Sequence, residues 1–294
     1  MSQDSRMGGW PEMNRKFEEE KAEKIISAGR TGMKIEGVIF DWAGTTVDYG
    51  CFAPVRAFME IFREYGIDAT MEETRKPMGM LKWDHIKTML SMNRIHSEWV
   101  KVHGREWTDR DVDEMHEKFS EKLLGILHGY AEVKPYVLEA VRQLRDRGIK
   151  IGSTTGYTDQ MMEIVVPKAA ENGYEPDFWI SPNSVGNMGR PYPYMIFENM
   201  RQLGLRNVHT VMKVGDTISD IQEGVNAGVI SVGVLEGSSE MGLTEQEYEA
   251  LSEAGKKAAK ERLTQSYREA GADYVIDHMG CLCDLIDEIE GQSV

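Results

Sequence analysis

Three strand-like stretches of the sequence end in polar residues that are able to do chemistry. Asp41 ends the run 34–41, a Ser-Thr-Thr-Gly sequence ends the run 149–156, and Asp216 ends the run 209–216. Because ligands of open α/β sheets bind at the carboxyl ends of the strands, we expect these groups to meet at one edge. A partly shielded carboxylate beside a cation serves there as a nucleophile or as a metal ligand.

The oxygen atoms expected at this edge predict a magnesium site. Asp41, Asp216 and a backbone carbonyl near Ala43 form the hard oxygen set that Mg²⁺ prefers. Such an ion holds a phosphoryl group in line with Asp41, while Thr155 and the cation Arg190, in "GRPYP", bind the phosphoryl oxygens. The set therefore predicts phosphoryl transfer. Taken singly, each residue has a commoner structural role: a strand-end aspartate usually serves a turn, and a lone arginine usually lies on the surface.

The elements that must position these residues alternate between strands and helices. Strand-like runs occur at 34–41, 149–156, 209–216, 229–237 and 272–277, and amphipathic helical patterns lie between them, for example at 135–148 and 219–228. Pro167 is expected to end or kink the helix that begins near Thr158. The alternation predicts an α/β fold, with a Rossmann-like parallel sheet that is covered by helices on both faces.

One long stretch breaks the alternation. Residues 51–133 show no convincing strand pattern, but they show helical patterns at 53–66, 82–90 and 110–130. An all-helical insert directly after the first strand predicts a cap over the edge where ligands bind. We therefore expect an α/β core domain (33–50 and 134–294), a helical cap domain (51–133) and a polar N-terminal extension (1–32).

The composition excludes several classes of function. The 294 residues carry a formal net charge of -15, which argues against nucleic-acid or membrane-surface binding, because both need a basic face. No apolar run is long enough to span a membrane, and the N-terminus has no apolar signal core. Three cysteines show neither a disulfide nor a zinc pattern, so a cytoplasmic location is the default expectation.

The order of these motifs resembles that of the haloacid dehalogenase superfamily of phosphotransferases. The stretches "FDWAGTTVDYG", "STTG", "GRPYP" and "GDTISD" are similar to its four motifs, and the resemblance covers nearly everything from residue 33 onward. It implies the fold of that superfamily, with its inserted cap. It also implies a nucleophile that forms an aspartyl-phosphoryl intermediate (Asp41), two phosphoryl-binding residues (Thr155 and Arg190), a ligand of Mg²⁺ (Asp216) and a ligand through water or a supporting residue (Asp220).

Ala43 departs from the superfamily pattern, because its phosphatases generally have an aspartate there as general acid and base. A leaving carbon needs no such proton donor, but it needs a group that delocalises its electron pair. A lysine does this by forming an iminium with a substrate aldehyde. The candidate is Lys82 in "RKPMGMLKWDH", whose apolar neighbours lower the pKa of an ammonium group, and His85 is expected to contact the substrate or relay a proton. Without Ala43 and the need for an amine, Lys82 would be interpreted as a surface lysine and His85 as a packed or solvated histidine.

With "VIFDWAGTTVDYGCFAP" and "GSTTGYT", the resemblance narrows to those members of the superfamily that cleave the carbon–phosphorus bond of phosphonoacetaldehyde to give acetaldehyde and phosphate. It implies a Schiff base on Lys82, Mg²⁺ as cofactor, a homodimer, and a role in the degradation of phosphonates such as 2-aminoethylphosphonate. Two alternatives stay open. One is a Mg²⁺-dependent small-molecule phosphatase of the same superfamily, which leaves Ala43 unexplained, and the other is a non-catalytic binding protein with this fold.

Overall fold

The computed structural model of the chain describes residues 34–77 and 82–291, so the predicted extension 1–32 lies outside the described residues. Within these residues, six parallel strands form one sheet in the order β3-β2-β1-β4-β5-β6. They are β1 (Gly37–Phe40), β2 (Lys150–Thr154), β3 (Phe178–Ile180), β4 (Val211–Gly215), β5 (Ile230–Val234) and β6 (Tyr274–Ile276). The central strands β1, β4 and β5 are buried along their whole length, as is typical of a parallel sheet between two layers of helices. The predicted α/β class is confirmed.

The register of the sheet brings the predicted motifs to one place. Phe40 at the end of β1 lies opposite Ser153 of β2 on one side and opposite Val214 of β4 on the other. Asp41 and Asp216 therefore leave the sheet at the same edge. The strand order also reverses between β1 and β4, which is the position where open α/β sheets form their binding crevice.

Helices make up most of the remaining structure. Between β1 and β2, the described residues form α1 (Phe52–Glu64), α2 (Met71–Arg75), α3 (Lys82–Leu90), α4 (Asn93–His103), α5 (Asp109–Ile126) and α6 (Val137–Asp146). The later helices are α7 (Asp159–Glu171), α8 (Tyr194–Leu203), α9 (Ile218–Ala227), α10 (Glu245–Ala250), α11 (Glu253–Glu269) and α12 (Leu282–Ile289). Among the described residues, no helix combines the length and the apolar character that are needed to cross a bilayer. The division into a core and a cap domain stays a prediction.

The helices between β1 and β2 pack through an aromatic cluster. Phe58 of α1 stacks on Phe119 of α5 with 4.2 Å between ring centroids, and on the imidazole of His85 of α3 at 3.8 Å. All three side chains are buried. Because these rings come from three helices, their contact fixes α3, and with it Lys82 at the N-terminal end of α3, relative to α1 and α5.

Two features differ from the sequence-based expectation. Strand β3 was not predicted, because a three-residue edge strand is too short to show a period. Pro167 was expected to end or kink its helix; it does not end the helix, because α7 continues to Glu171, and a kink there stays a prediction. Met162, Val165 and Ala169 of α7 are buried, and their packing on both sides of the proline offsets the loss of one backbone hydrogen bond.

The turn after β1 depends on Gly44. The carbonyl of Trp42 accepts from the backbone amides of Thr45, Thr46 and Val47 at 2.8–3.1 Å, which makes the turn tight. Gly44 has φ +90°, and a Cβ added there would lie 2.2 Å from the Oδ2 atom of Asp216. The turn therefore needs a residue without a side chain, both for its backbone conformation and for the space beside Asp216.

We predict that Gly44→Ala destabilises the fold by at least about 2 kcal/mol, because it combines a strained backbone with a close contact. Urea unfolding of the full chain measures the change. Gly125→Ala is the matched control, since Gly125 is an exposed residue of α5 with no heavy atom within 4 Å of an added Cβ. That control is expected to be neutral or slightly stabilising. Equal stability of Gly44→Ala and the wild type would contradict the prediction.

Candidate active site

Asp41 is fixed by its backbone and is buried. Its amide donates to the carbonyl of Val214 at 2.9 Å, and its own carbonyl accepts from the Thr46 hydroxyl at 3.0 Å. The Oδ1 atom accepts from Nη2 of Arg190 at 2.5 Å. These hydrogen bonds fix the position and the orientation of the Asp41 carboxylate at the sheet edge.

Burial raises the pKa of Asp41 against the lowering effect of Arg190, and with the further effects of Asp220 and Asp216, which raise it, and of Lys213, which lowers it, the pKa is about 7. Burial also raises the pKa of Asp216, with a further contribution from Asp220. Burial, with the repulsion between neighbouring carboxylates, therefore disfavours the ionised forms of Asp41 and Asp216. A nucleophilic Asp41 must be ionised, so the site favours the binding of additional positive charge.

The guanidinium of Arg190 forms ion pairs with three carboxylates. Besides Asp41, its Nη1 atom lies 2.9 Å from Oδ1 of Asp220, and its Nε atom lies 3.1 Å from Oε2 of Glu223. Its Nη2 atom also donates to the Thr154 hydroxyl at 3.0 Å. With four partners from three parts of the fold, which are the end of β1, β2 and α9, the guanidinium is held in one plane beside Asp41.

Lys213 is a second buried cation in the same network. Its ammonium lies 2.9 Å from Oδ1 of Asp220 and 3.3 Å from Oε2 of Glu223, and it donates to the Thr154 hydroxyl at 2.9 Å. Arg190 and Lys213 hold the pKa of Asp220 below its usual value, although burial alone would raise it. Sequence reasoning missed Lys213, Glu223 and Thr154. A lysine inside the apolar strand "VMKVG" was a usable signal, because a buried lysine requires a carboxylate partner.

A divalent cation fits the acidic side of this network. Ligand oxygens of Asp41, Asp216 and Asp220 lie within 4.8 Å of one another, and all three residues are buried. Four carboxylates (Asp41, Asp216, Asp220 and Glu223) lie near three cations (Arg190, Lys213 and Lys134), so negative charge is in excess and a divalent ion would balance it. Asp216 is oriented by the Thr45 hydroxyl at 2.7 Å and by the amide and hydroxyl of Ser239 at 2.7 and 2.6 Å. Three oriented carboxylates suit a hard cation.

Two loops at the sheet edge are braced by a buried lysine that sequence reasoning also missed. The ammonium of Lys134 donates to the carbonyls of Gly44, Glu236 and Gly237, the last two at 2.8 and 3.0 Å. Burial lowers the pKa of Lys134 to about 8. Because all three of its partners are carbonyls, Lys134 serves to hold the loop after β1 against the loop after β5.

A cavity of about 750 Å³ opens over this edge and brings together most of the predicted site residues. Five of the seven line it: Asp41, Ala43, Lys82, Thr155 and Arg190. Asp216 is buried and meets the network through its carboxylate. The Thr155 hydroxyl accepts from the amide of Tyr157 at 3.0 Å. Lys82 of α3 therefore lines the same cavity as the residues at the edge of the sheet.

The environment of Lys82 is apolar. Its ammonium nitrogen lies over the ring of Phe58, 5.8 Å from the centroid. Burial lowers the pKa of Lys82, against a smaller opposing effect of Cys51. A larger share of the neutral amine is therefore present than in a solvated lysine. Three of the apolar neighbours named from the sequence, Met78, Met80 and Leu81, lie outside the described residues.

His85 does not lie in the wall of the cavity. The side chain is fully buried and stacks against Phe58. Neither ring nitrogen has a hydrogen-bond partner that meets the usual distance and angle limits. The nearby backbone of Thr74 favours the charged form of the ring, but its effect is smaller than that of burial. Burial, with the charge of Lys82, lowers the pKa of His85 to about 3. His85 is thus a neutral ring that supports the aromatic cluster, and its contact with a substrate stays a prediction.

Comparisons with known proteins agree with this geometry. Residues 35–228 match the model of the haloacid dehalogenase-like hydrolase family. The chain is 52% identical to a phosphonoacetaldehyde hydrolase of Lysinibacillus sphaericus over 87% of this chain and 96% of that protein. It is 50% identical to part of a bifunctional phosphonoacetaldehyde hydrolase/aminoethylphosphonate transaminase of Clostridioides difficile, over 90% of this chain and 41% of that protein.

A solved structure is also similar over most of the chain. It is the crystal structure of a phosphonoacetaldehyde hydrolase-like protein from Oleispira antarctica, with a TM-score of 0.79 and 35% identity, covering 89% of this chain and 95% of that chain. The family resemblance inferred from the motifs is therefore confirmed. The chain belongs to the haloacid dehalogenase-like hydrolases and, within them, to the phosphonoacetaldehyde hydrolase family.

Proposed function

We propose that this chain hydrolyses phosphonoacetaldehyde to acetaldehyde and phosphate. The observation that carries the proposal is the cavity that holds the amine of Lys82 and the carboxylate of Asp41 together, with Ala43 in its wall. An amine and an oxygen nucleophile are the two groups needed to break a bond between a phosphonate and an aldehyde carbon. The names of the relatives support the same substrate.

Lys82 begins the reaction as a nucleophile toward carbon. Its neutral amine attacks the aldehyde, and loss of one water gives the protonated imine. The apolar surroundings that lower the pKa of Lys82 supply this neutral amine. The positive nitrogen of the imine is now placed to accept the electron pair of the adjacent carbon–phosphorus bond.

Asp41 then attacks phosphorus in line with the departing carbon. The new oxygen–phosphorus bond forms an aspartyl phosphate, the carbon–phosphorus bond breaks, and its electron pair moves into the imine to give an enamine. Protonation at carbon and hydrolysis of the imine release acetaldehyde, and hydrolysis of the aspartyl phosphate releases phosphate. One water is released and two are consumed, so the net reaction uses one water.

Positive charge around the phosphoryl group comes from Arg190 and from Mg²⁺, which we assign as the divalent ion of this site. When bound by Asp41, Asp216 and the carbonyl of Ala43, the ion would stabilise charge on the phosphoryl oxygens and favour the ionised form of Asp41. Asp220 lies close enough to take part. Thr155 donates to a phosphoryl oxygen in this proposal, and His85 supports the substrate indirectly, through the ring that underlies Lys82.

The proposal extends to the setting of the enzyme. Residues 51–133 act as a cap domain that carries Lys82, residues 33–50 and 134–294 form the core domain, and the enzyme works as a homodimer in the cytoplasm. The three cysteines are free thiols, which suits a reducing compartment. A place in 2-aminoethylphosphonate degradation is supported by the Clostridioides difficile relative, whose name pairs the hydrolase with an aminoethylphosphonate transaminase.

We predict that Lys82→Arg lowers phosphonoacetaldehyde cleavage by about a thousand-fold or more, because arginine keeps the positive charge but forms no imine. Borohydride with substrate should label wild type on Lys82 and leave the variant unlabelled, as measured by peptide mass spectrometry. Lys87→Arg on the same helix is the control, since Lys87 pairs with Asp109 at 2.8 Å on the surface. An active Lys82→Arg enzyme, or an adduct on another lysine, would contradict the mechanism.

Ala43→Asp should lower carbon–phosphorus cleavage about ten-fold or more, because it adds a carboxylate to a site that already holds excess negative charge and must bind an anion. Ala43→Asn has nearly the same shape without the charge and should lose less. Assays with phosphonoacetaldehyde and with a phosphate ester separate the two leaving groups, and slight ester hydrolysis is expected of the aspartate variant only. Wild-type cleavage by Ala43→Asp would refute our interpretation of Ala43.

Asp216→Ala should abolish Mg²⁺-dependent turnover, with a loss of about 100-fold or more, because it removes an oriented ligand. Titration calorimetry with MgCl₂ alone should show weakened binding by the variant. In the wild type, excess chelator should stop turnover and added Mg²⁺ should restore it. Full activity of the wild type in excess chelator would be incompatible with the assigned metal.

A further inference from the structure

Arg75 connects the helices between β1 and β2 to two loops at the sheet edge. It is the last residue of α2, and its guanidinium donates from Nη1 to the carbonyl of Ser239 at 3.3 Å and from Nη2 to the carbonyl of Gly50 at 3.2 Å. The same group lies over the ring of Phe52, 4.4 Å from the centroid. A planar fork with two donors directed at two carbonyls fixes both distance and angle, which a lysine ammonium does not do.

The two carbonyls belong to loops that carry catalytic groups. Gly50 ends the loop that begins at Asp41, and its amide donates to the carbonyl of Gly237 at 2.8 Å, in the loop after β5. Ser239 of that second loop donates from its amide and its hydroxyl to Oδ2 of Asp216 at 2.7 and 2.6 Å. Arg75 therefore holds the same residue that orients Asp216, so one side chain links α2 to the acidic cluster.

The other side of α2 is fixed to the neighbouring helices. Glu73 accepts from Nε of Arg94 of α4 at 2.6 Å, and its carboxylate also caps the helix through the amide of Thr70 at 2.9 Å. Arg94 further donates to the carbonyl of Asp68 at 3.0 Å. Helix α2 is thus bound on one side through Glu73 and on the other side through Arg75. Lys82 follows Arg75 by seven residues.

We propose that Arg75 is a positioning residue that docks the helices carrying Lys82 onto the sheet edge, so that the amine faces Asp41, and that it couples this docking to the orientation of Asp216. The proposal rests on the function proposed above. It explains why a guanidinium is kept against two loop carbonyls and an aromatic ring. Arg75 does not touch the reacting atoms.

The consequence is a separation of two half-reactions. Imine formation with a small aldehyde needs only the amine of Lys82, whereas cleavage also needs the aligned Asp41 and the metal ligands. Loss of the Arg75 contacts should therefore leave imine formation unchanged and slow the cleavage of the carbon–phosphorus bond. A misplacement of about 1 Å between reacting groups is enough to lower a rate by about 100-fold.

The test compares wild type with Arg75→Gln, Arg75→Lys and Arg94→Gln. Acetaldehyde with borohydride, read by mass spectrometry of the peptide that contains Lys82, measures imine formation without a phosphonate. Phosphate release from phosphonoacetaldehyde measures cleavage, calorimetry with MgCl₂ alone measures the acidic cluster, and thermal unfolding measures stability. Arg94→Gln is the matched control, because it removes a contact of α2 that does not reach the two loops.

For Arg75→Gln we expect acetaldehyde trapping on Lys82 within two-fold of wild type, cleavage lowered by about 100-fold, and Mg²⁺ binding weakened several-fold. Arg75→Lys should recover part of the cleavage, and Arg94→Gln should stay within two-fold of wild type in all three assays. Wild-type cleavage by Arg75→Gln would overturn the proposal. So would equal losses of trapping, cleavage and thermal stability in both Arg75 variants, which would show a merely structural role. A wild-type protein that traps nothing on Lys82 would instead refute the proposed function.

Discussion

Four buried carboxylates, accompanied by the cations Arg190, Lys213 and Lys134, set the electrostatics of the whole site at one edge of the sheet. Taking a charge out of water costs several kcal/mol per ion unless partners and hydrogen bonds replace the lost hydration. Arg190 and Lys213 supply those partners for Asp41, Asp220 and Glu223, and Thr154 donates or accepts between them. Burial, with the repulsion between the carboxylates, still raises the pKa of Asp41 and of Asp216. A site of this kind is built to gain positive charge.

In the proposed reaction, the reactive amine comes from an element outside this acidic cluster. Lys213 lies among carboxylates and pairs with Asp220 and Glu223, so it serves to hold the network together. Lys82 lies over an aromatic ring, and burial lowers its pKa, so it is able to serve as a neutral amine. Lys213, among the carboxylates, and Lys82, over the aromatic ring, thus take different parts in the proposed site: Lys213 supports the network, and Lys82 supplies the amine.

The sequence predicted the parts of the site that stand at strand ends and missed the parts that lie beneath them. Asp41, Thr155 and Asp216 follow strands whose period and apolar character are visible in the sequence, and the parallel register then brings them to one edge. Lys213 and Glu223 point into the interior, and only the fold shows that they reach each other. Likewise β3 was missed because it is short, and the extent of α7 past Pro167 is decided by packing rather than by local backbone preference.

The division of hydrogen bonds around Arg190 gives the network a way to respond to a bound phosphoryl group. Its Nη1 and Nε atoms hold Asp220 and Glu223, both fully buried on α9, while Nη2 lies against Asp41 and Thr154. Two of the three carboxylate contacts therefore do not involve Asp41. In the proposed reaction, a bound phosphoryl oxygen would take the Nη2 contact that Oδ1 of Asp41 holds here, while Asp220 and Glu223 keep the guanidinium in place. Asp41 would then have one hydrogen bond fewer on an oxygen that can attack phosphorus, which favours its proposed role as the nucleophile.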